Sequence, residues 1–584
     1  MDEKVASKCL NLIVAAIDLG TSYSGYAFSV KHDWGRVMTS IWQGGSLLTH
    51  KAPTCLLLKK DQSESYFGYE AEDRYAEHTA YDNKDYENYY FFQNFTMILH
   101  EDVNHIKHIL CKDIKGYTLE AGTVFMHCIK YLKNHLFDEI KKTLVFTKEE
   151  DIDFILTVPA IWGEKAKIFM RKAAMKAGIK NERLNIVLEP EAASIYCQYL
   201  QIARNAINYD SCDLGVLRAG TKYILLDLGG GTADITVHQK CEDNTLEEVL
   251  PASSGPWGGK SVDDAFIKFL TELVGESAMT TLKQEYIDDY LEIMRGFETK
   301  KRTRMPNKLG MTIMHLPISF YSLCAKMHHV KDFKAIIEKN AMHKDNVKYS
   351  GGKLKWSNKY FAGFFKKTID SIVKHIDELF DENEVRDVDI IVMVGCFSEC
   401  TLVQDAIKKN FEHKKVIVPE EAGLAVVKGA VYFGHIPDAS SRRSAQYTYG
   451  IQTWPEFRPG FHLESKKVNV SGSVRCKDVF FKLVTKGEKI FTGLAKSQFV
   501  QALTCKKNYL ECALYISDKK DPVYVDEPEC RLIGIHQIPL SADENQPLYE
   551  IEESLIFGET ELTFRARDLL TGVQREVTFD LLKE

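Results

Sequence analysis

The sequence predicts an α/β fold in two lobes, followed by a smaller, mainly β domain. Two apolar strands of similar sequence each end in a glycine turn, DLGTS at residues 18–22 and DLGGGT at residues 227–232. The turns lie far apart in the chain, which places them in different lobes. Strands and helices alternate as far as Gly434, and beyond residue 446 short strands follow one another with every second residue apolar.

Apolar periodicity and turn residues predict the elements of the α/β part in order. Pro159 stops one strand and Gly178 ends one helix. Strands are predicted at residues 12–17, 23–30, 55–59, 154–158, 185–188, 223–226, 233–238 and 389–394. Helices are predicted at 118–142, 164–177, from Glu189 onward, within 261–302, and at 358–380, 401–411 and 425–434.

The C-terminal part is predicted to be β-rich. Its strands are expected at residues 447–453, 479–484, 510–516, 532–538, 561–566 and 576–581, with Thr571-Gly572 as a hairpin turn between the last two. The predicted domain boundaries follow from this change of pattern. Residues 1–436 form the two lobes, residues 437–446 form a polar, solvated linker, and residues 447–584 form the β domain.

Composition and charge narrow the classes of function. The 584 residues carry a formal net charge of −7, which argues against a general nucleic-acid surface. No apolar stretch of about 18 residues or more occurs, so we expect no membrane span. The N-terminal segment predicts a first strand rather than a signal peptide. The 14 cysteines show no disulfide or metal-ligand spacing and predict free thiols in a reducing, cytoplasmic setting.

The two glycine turns predict a polyphosphate site. Glycine allows the backbone N–H groups of a turn to form a concave anion site, to which nearby hydroxyl groups add donors. Asp18 and Asp227 precede the turns, and a carboxylate can face phosphate there only across a cation such as Mg²⁺. Asp234 supplies a third acid beside the second turn. The alternative is that each motif is an ordinary turn at the end of a strand.

Several motifs, in the order in which they occur, resemble those of the heat shock protein 70 chaperones. Residues 16–24 and 226–234 resemble the two phosphate loops, and residues 157–160 and 189–193 resemble the segment that joins the lobes. Residues 297–303 resemble the adenosine-clamping helix, and residues 392–395 the adenosine motif. The aromatic-rich segment near 90–99, Gly395-x-Phe397 and the β-rich C-terminal part are similar to the divergent heat shock 70 kDa protein 12 group.

The resemblance implies an actin-like ATPase whose two lobes close on ATP or ADP with Mg²⁺. Asp18, Glu189, Asp227 and Thr232 would be catalytic, and Asp18 and Asp227 would hold Mg²⁺ through water. The implied nucleotide-binding residues are Gly20, Thr21, Ser22, Tyr23, Gly229, Gly230, Gly231, Thr232, Asp234, Gly258, Gly259, Glu298, Lys301, Arg302, Gly395, Cys396 and Phe397. Taken alone, the charged segment 298–304 is also compatible with a solvated helix face.

Some positions depart from the family pattern. The catalytic lysine of the first lobe is expected near residues 91–100, where this sequence has none, so we expect slow hydrolysis unless Lys84 or Lys107 substitutes. Cys396 replaces a second glycine and Glu399 replaces an arginine that stacks on the base, which predicts weaker nucleotide binding. The leucine-rich linker, the helical lid and the acidic co-chaperone motif of the family are also not found in this sequence.

The sequence therefore predicts an ATP-binding, chaperone-related protein with weak ATPase activity and a β domain for protein clients. The alternative is a nucleotide-binding scaffold or signalling adaptor without catalysis, which the missing lysine and the polar linker favour. A sugar or acetate kinase on the same two-lobed fold is a third possibility, and the long β part argues against it.

Overall fold

The computed structural model describes residues 12–44, 47–80, 85–101, 109–199, 218–242, 245–306, 310–436, 441–445, 447–470, 472–490, 495–503, 509–539, 548–557, 562–569, 572 and 574–579. The chain forms two compact units. The first comprises Met1–Trp162, Met170–Asn244 and Ala252–Ala439. The second comprises Gly163–Phe169, Thr245–Pro251 and Ser440–Glu584.

The first sheet of the first unit is built around the strand that ends in the first glycine turn. All seven residues of Ile13–Leu19 are buried, because this strand lies in the middle of the sheet. It pairs in parallel with Ile152–Val158 and antiparallel with Tyr23–Val30. The strand order is Leu184–Leu188, Ile152–Val158, Ile13–Leu19, Tyr23–Val30 and Met38–Thr39, and Ala52–Pro53 also pairs with Tyr23–Val30.

The second sheet repeats this plan around the second turn. Lys222–Leu228 pairs in parallel with Ile390–Val394 and antiparallel with Ala233–Lys240. The strand order is Lys415–Ile417, Ile390–Val394, Lys222–Leu228, Ala233–Lys240 and Leu246–Gly255. Both sheets thus place two parallel strands on one side of the turn-bearing strand and an antiparallel hairpin partner on the other. We call the parts built on these sheets the first and second lobes.

The remaining elements of these two lobes are helices and short strands. The helices are Tyr69–Ala80, Ile98–Glu101, Ala121–Thr143, Glu164–Lys176, Glu189–Tyr199, Gly259–Val274, Glu276–Glu285, Ile287–Thr303, Ile318–Met327, Phe333–Lys339, Asn358–Phe380, Thr401–Asn410 and Ala425–His435. The short strands are Trp42–Gly44, Leu47–Thr49, Cys55–Lys59, Ser65–Phe67, Tyr89–Gln93, Leu110–Lys112, Thr118–Glu120, Met311–His315, Val347–Ser350 and Lys353–Ser357.

The second unit is mainly β. One antiparallel sheet has the order Val479–Val484, Thr448–Thr453, Tyr509–Ser517 and Cys530–Pro539, and the other has the order Ala495–Leu503, Leu548–Phe557, Leu562–Asp568 and Gln574–Phe579. Side chains from both sheets, including Ile451, Leu514, Leu555 and Phe564, share one buried core, which is the packing of a β-sandwich. Lys467–Val470 and Ser473–Cys476 form a separate hairpin.

The structure departs from the sequence-based expectations at several elements. Residues 118–120, predicted as helix, form a strand, and the helix begins at Ala121. The segment expected to be a solvated linker contains the strand Ser441–Ser444, which pairs with Leu246–Gly255 and Lys489–Ile490. Residues 495–503 and 548–557 form strands that the sequence did not predict. Thr571, of the predicted hairpin turn, lies outside the described residues, and Gly572 has the positive φ that such a turn needs.

Candidate functional site

The two glycine turns face each other within the first unit. A Cβ atom at Gly230 would collide with the Ser22 side chain, and one at Gly231 would lie 2.8 Å from Cγ2 of Thr21. The second turn is closed by a hydrogen bond in which the Gly229 N–H donates to the Thr232 carbonyl at 3.0 Å. Only glycine therefore allows this close approach of the two backbones.

A cavity of about 660 Å³ lies between the turns. It brings together residues from the first turn, the second turn, the helix start at Glu189 and the turn after Ile390–Val394. Its lining includes Asp18, Gly20, Thr21, Ser22, Tyr23, Glu189, Asp227, Gly229, Gly230, Gly231, Thr232, Asp234, Gly395 and Cys396, all of which the sequence predicted as site residues.

The same cavity contains a lysine that the sequence did not predict. Lys51 Nζ donates to Oδ2 of Asp18 at 2.6 Å, and the Thr157 hydroxyl donates to Oδ1 of the same carboxylate at 2.9 Å. Lys51 is buried, as is Asp18. It immediately precedes Ala52–Pro53, which pairs with the start of the strand after the first turn. This pairing carries the ammonium group to the base of the phosphate cavity.

Acidic side chains outnumber basic ones in the lining of this cavity. Glu189, Asp227, Asp234 and Asp18 face the single ammonium of Lys51. Burial raises the pKa of Glu189, and the three aspartates raise it further. Burial and Asp234 raise the pKa of Asp227 to about 7.

The same carboxylates favour the charged form of Lys51. Burial lowers the pKa of its ammonium, but the attraction of Asp18, Cys396 and Asp227 and the hydrogen bond to Asp18 together outweigh burial, so the pKa of Lys51 lies above its usual value. The lysine therefore stays charged, whereas the raised pKa values of Glu189 and Asp227 mean that the ionised forms of these carboxyl groups are unfavourable in this buried space.

This donor set fits Mg²⁺. Magnesium prefers carboxylate, water and phosphate oxygens, and a divalent cation would offset the negative charge that Asp18, Asp227, Glu189 and Asp234 carry when they are ionised. Among the described residues, no group of three or more His, Cys, Asp or Glu side chains has the spacing of a direct metal site. Asp18 and Asp227, the two carboxylates that precede the turns, both line the cavity between them.

A second cavity of about 420 Å³ adjoins the turns on the side of the helix Ile287–Thr303. Glu298, on this helix, receives two cations: Lys301 Nζ lies 2.5 Å from Oε2, and Arg302 Nε lies 2.7 Å from Oε1. Burial raises the pKa of Glu298, but Lys301 and Arg302 outweigh burial, and the pKa of the carboxyl lies below its usual value. The structure thus places this segment in a pocket rather than on a solvated helix face.

The other walls of this pocket come from both lobes. The Arg302 guanidinium lies 4.8 Å from the centre of the Tyr23 ring. Phe397 and Cys396, which follow Gly395, line the opposite side together with Gly259. Gly395 has a φ of +86° and lies so close to Asp227 and to the Leu228 carbonyl that a Cβ would collide with both. Glycine is therefore required at this turn.

Two residues singled out from the sequence lie behind the site instead of in it. Gly258 packs against the second turn, where its N–H donates to the Gly231 carbonyl at 3.2 Å. Oε1 of Glu399, which occupies the position of the family's stacking arginine, accepts a hydrogen bond from the Gly423 N–H at 3.0 Å. Glu399 therefore fixes the loop before the last helix of the second lobe.

The segment at residues 91–100, where the family lysine is expected, also contacts the first turn. The Thr96 hydroxyl donates to Oγ1 of Thr21 at 3.0 Å, so this position supplies a hydroxyl group and no cation. Lys84 and Lys107, the two substitutes that the sequence suggested, lie outside the described residues. Lys51 is the cation that the described structure places beside Asp18.

Comparison with known proteins identifies the family. Human heat shock 70 kDa protein 12B is 30% identical over 636 residues, covering 98% of this chain and 91% of that protein. The chain belongs to the heat shock protein 70 family. Mouse heat shock 70 kDa protein 12A, 30% identical over 98% of the chain and 92% of that protein, places it in the divergent 12A/12B branch of this family. The resemblance drawn from the motifs is therefore confirmed.

A more distant member of the heat shock protein 70 family matches part of the chain. Chaperone protein DnaK of Mycoplasmopsis synoviae (strain 53) is 25% identical over 305 residues, which are 51% of this chain and 44% of that protein. No protein-family model matches the chain. Family membership implies the two-lobed actin-like ATPase fold and supports nucleotide binding. Among the described residues, no helix is both long and apolar enough to span a membrane.

Proposed function

We propose that this protein binds ATP or ADP with Mg²⁺ between the two glycine turns and hydrolyses ATP slowly. The observation that carries the proposal is the apposition of the two turns around a cavity with one buried lysine and four carboxylates. A triphosphate would receive backbone N–H groups from both turns and the positive charge of Lys51. When bound, Mg²⁺ would shield the phosphate charge from Asp18 and Asp227.

We assign the catalytic roles to residues of the same cavity. Asp18 holds Lys51 in place, and Lys51 would offset the charge that develops on the terminal phosphate. Glu189, at the start of its helix, would position the attacking water, with Asp227 and Thr232 beside it. The Thr232 hydroxyl donates to Oδ2 of Asp234 at 3.0 Å, which fixes its orientation.

The adenosine would occupy the second cavity. Glu298, with its carboxylate held ionised by two cations, presents oxygens to the ribose hydroxyls. Phe397 and Tyr23 offer apolar surface to the base. Because residue 399 is a glutamate, which accepts a hydrogen bond from the Gly423 N–H, the base lacks the arginine stack of the family, which costs about 0.5–2 kcal/mol of affinity.

For the rest of the chain we propose that residues 1–436 form the nucleotide-binding domain and residues 447–584 a domain for protein clients. The β-sandwich core of the second unit supports this division. We propose a cytoplasmic location, which free thiols at eleven cysteines of the described part of the chain support. A chaperone role in the stress response follows the family and is part of the same proposal.

We expect Gly230→Ala to weaken ATP and ADP binding by at least ~10-fold, because the added methyl group would press against Ser22 and hold the turns apart. Titration calorimetry with Mg²⁺-nucleotide measures this. Gly35→Ala is the matched control, since a Cβ there meets no atom within 4 Å. Absence of binding to the unaltered protein at millimolar nucleotide would refute the proposed function.

The rate of ATP hydrolysis distinguishes a slow ATPase from a scaffold that binds nucleotide without catalysis. If the protein hydrolyses labelled ATP above the buffer rate, it is an ATPase. If nucleotide raises its melting temperature while hydrolysis equals that of buffer, the nucleotide only stabilises the lobes. The location of Lys51 beside Asp18 favours the first outcome, because it supplies the cation that the sequence alone did not reveal.

The two lobes are also joined by an arginine of the second lobe that pairs with two carboxylates of the first lobe. Arg295 Nη2 lies 2.6 Å from Oε2 of Glu72 and 2.8 Å from Oδ1 of Asp73, so it ties the helix Ile287–Thr303 to the helix Tyr69–Ala80. Glu72 is buried, and its pairing with Arg295 is therefore only weakly screened by solvent. Opening the cleft for nucleotide release would break both contacts.

We expect Arg295→Ala to speed ADP release by about 10-fold, because loss of a close charged pair acts mainly on the dissociation rate. Stopped-flow displacement of a fluorescent ADP measures the rate. Arg74→Ala is the matched control, since Arg74 pairs with Glu70 within the same first-lobe helix at 3.0 Å. Equal release rates for Arg295→Ala and the unaltered protein would contradict a role for this contact in closure.

A further inference from the structure

One stretch of the second lobe has a charge opposite to that of the chain. Between Lys326 and Lys367 the sequence has eleven lysines, three acidic residues and no arginine, although the whole chain has a formal net charge of −7. Part of this stretch folds into the sheet formed by Met311–His315, Lys353–Ser357 and Val347–Ser350, in that order. Three of the eleven lysines, Lys348, Lys353 and Lys355, lie on this sheet.

The inner face of this sheet is buried. Trp356 and Leu354 are both fully buried, and Trp356 lies close to the rings of Phe266 and Phe364, on the helices Gly259–Val274 and Asn358–Phe380. Since side chains alternate along a strand, the residues between the buried ones point away from these helices. The outer face comprises Met311, Ile313, His315, Lys348, Ser350, Lys353, Lys355 and Ser357, and we call it the basic sheet face.

The strand register groups the basic sheet face into rows. Lys355 lies between Ile313 on one side and Lys348 on the other. Lys353 lies in the same way between His315 and Ser350. The face contains no acidic residue, and Ile313 and Met311 are 41% and 43% exposed.

The lysines of this face are available for a partner. Across the part of the chain that the structure describes, no carboxylate lies within 4.0 Å of the Nζ atoms of Lys348, Lys353 or Lys355. Three ammonium groups without a carboxylate partner on one sheet face attract a partner of opposite charge.

The side chains on the basic sheet face indicate which anionic partner fits it. Single-stranded nucleic acid binds to sheets through aromatic stacking, but Tyr349 and Trp356 point to the inner face, where Tyr349 packs against Tyr321 and Phe333. Recognition of individual carboxylates or phosphates favours the planar fork of arginine, which this stretch lacks. Lysines interspersed with exposed isoleucine and methionine are typical of a surface that lies on a bilayer.

We propose that the basic sheet face binds the surface of an anionic phospholipid bilayer. The lysines would lie at the level of the headgroups, and Ile313 and Met311 would insert between them. Such binding is peripheral and requires no spanning segment. It falls with ionic strength, because the attraction between the lysines and the membrane is screened by salt.

The full chain should co-sediment with phosphatidylcholine vesicles that contain about 30% phosphatidylserine and not with phosphatidylcholine alone. The combined substitution Lys348→Gln, Lys353→Gln and Lys355→Gln should weaken vesicle binding by about 100-fold, since each lysine near an anionic membrane contributes roughly fivefold. Ile313→Ser should weaken it further without changing its salt dependence.

The matched control removes three lysines elsewhere in the second lobe. Lys366→Gln, Lys374→Gln and Lys409→Gln change the net charge equally, but these lysines pair with carboxylates on their own helices. The control should bind vesicles like the unaltered protein, and both triple variants should keep their melting temperature and ATP affinity. The proposal is overturned if phosphatidylserine vesicles are not bound, if both triple variants lose binding equally, or if only polyglutamate or single-stranded RNA binds to the face.

Discussion

Lys51→Gln is expected to lower the rate of ATP hydrolysis by about 100-fold, which corresponds to about 3 kcal/mol of transition-state stabilisation. Lys51 is the cation beside Asp18 in the phosphate cavity, and glutamine keeps a hydrogen-bond donor while removing the charge. Single-turnover measurements with labelled ATP give the rate. Because the backbone of both turns is untouched, we expect ATP affinity to change by less than about 10-fold.

The substitution also leaves Asp18 with less compensation for its charge, so stability must be followed in parallel. Lys59→Gln is the matched control: Lys59 pairs with Glu64 at 2.9 Å on the first lobe, outside the phosphate cavity. Its turnover should equal that of the unaltered protein. If Lys51→Gln hydrolyses ATP at the normal rate while its melting temperature falls, Lys51 serves only to hold Asp18 and does not act on phosphate.

The motifs gave no lysine near residues 91–100, whereas the structure places Lys51 beside Asp18, and this difference has a physical explanation. A motif reports residues that are neighbours in the chain, whereas Lys51 and Asp18 are 33 positions apart. They meet because Ala52–Pro53 pairs with the start of Tyr23–Val30, a contact between two short segments that no local pattern encodes. The only local sign of Lys51 in the sequence is its place directly before the apolar residues Ala52 and Pro53.

Local patterns did predict two elements of the lobes with their bounds. The strand Cys55–Lys59 is a short apolar run, and the helix Asn358–Phe380 has helical apolar periodicity that begins after its N-cap residue, Ser357. Both elements have the bounds that the sequence predicted. Ser441–Ser444 shows the limit of this approach. Its polar sequence favours a solvated linker, but pairing with Leu246–Gly255 satisfies its backbone instead.

In the candidate site, too, local motifs revealed some residues, whereas contacts between distant parts of the chain were not predicted. The glycines and acids of both turns were found from the sequence because backbone geometry demands them at fixed spacing. The contact of Arg295 with Glu72 joins residues 223 positions apart, and the hydrogen bond of Glu399 to Gly423 depends on how a loop closes. Neither could be read from composition or periodicity.

Asp227→Asn is expected to stabilise the nucleotide-free protein at pH 8 while abolishing its stabilisation by Mg²⁺-ATP. Burial raises the pKa of Asp227 to about 7 from its ordinary value of 3.8. The folded state therefore binds this proton more tightly than the unfolded state does. The contribution of Asp227 to the free energy of unfolding therefore falls as pH rises from about 4 to 7, and it stays low above that range.

A shift of this size corresponds to about 4 kcal/mol as an upper limit, and we expect a gain of about 1–3 kcal/mol for the asparagine at pH 8 and little gain at pH 4. In calorimetric scans with a chelator at pH 8, the midpoint temperature of the first unfolding transition should be about 2–8 °C higher for Asp227→Asn than for the unaltered protein. The gain arises because asparagine has no charge to desolvate beside Asp234 and Asp18.

The same substitution removes a carboxylate that would hold Mg²⁺ through water, so addition of Mg²⁺-ATP should no longer raise the melting temperature. Asp288→Asn, on an exposed position of the second lobe, is the matched control and should leave both properties unchanged. If Asp227→Asn destabilises the nucleotide-free protein at pH 8, the aspartate contributes to folding rather than opposing it. A buried carboxylate that lowers stability until a cation arrives is the expected signature of a residue retained for binding.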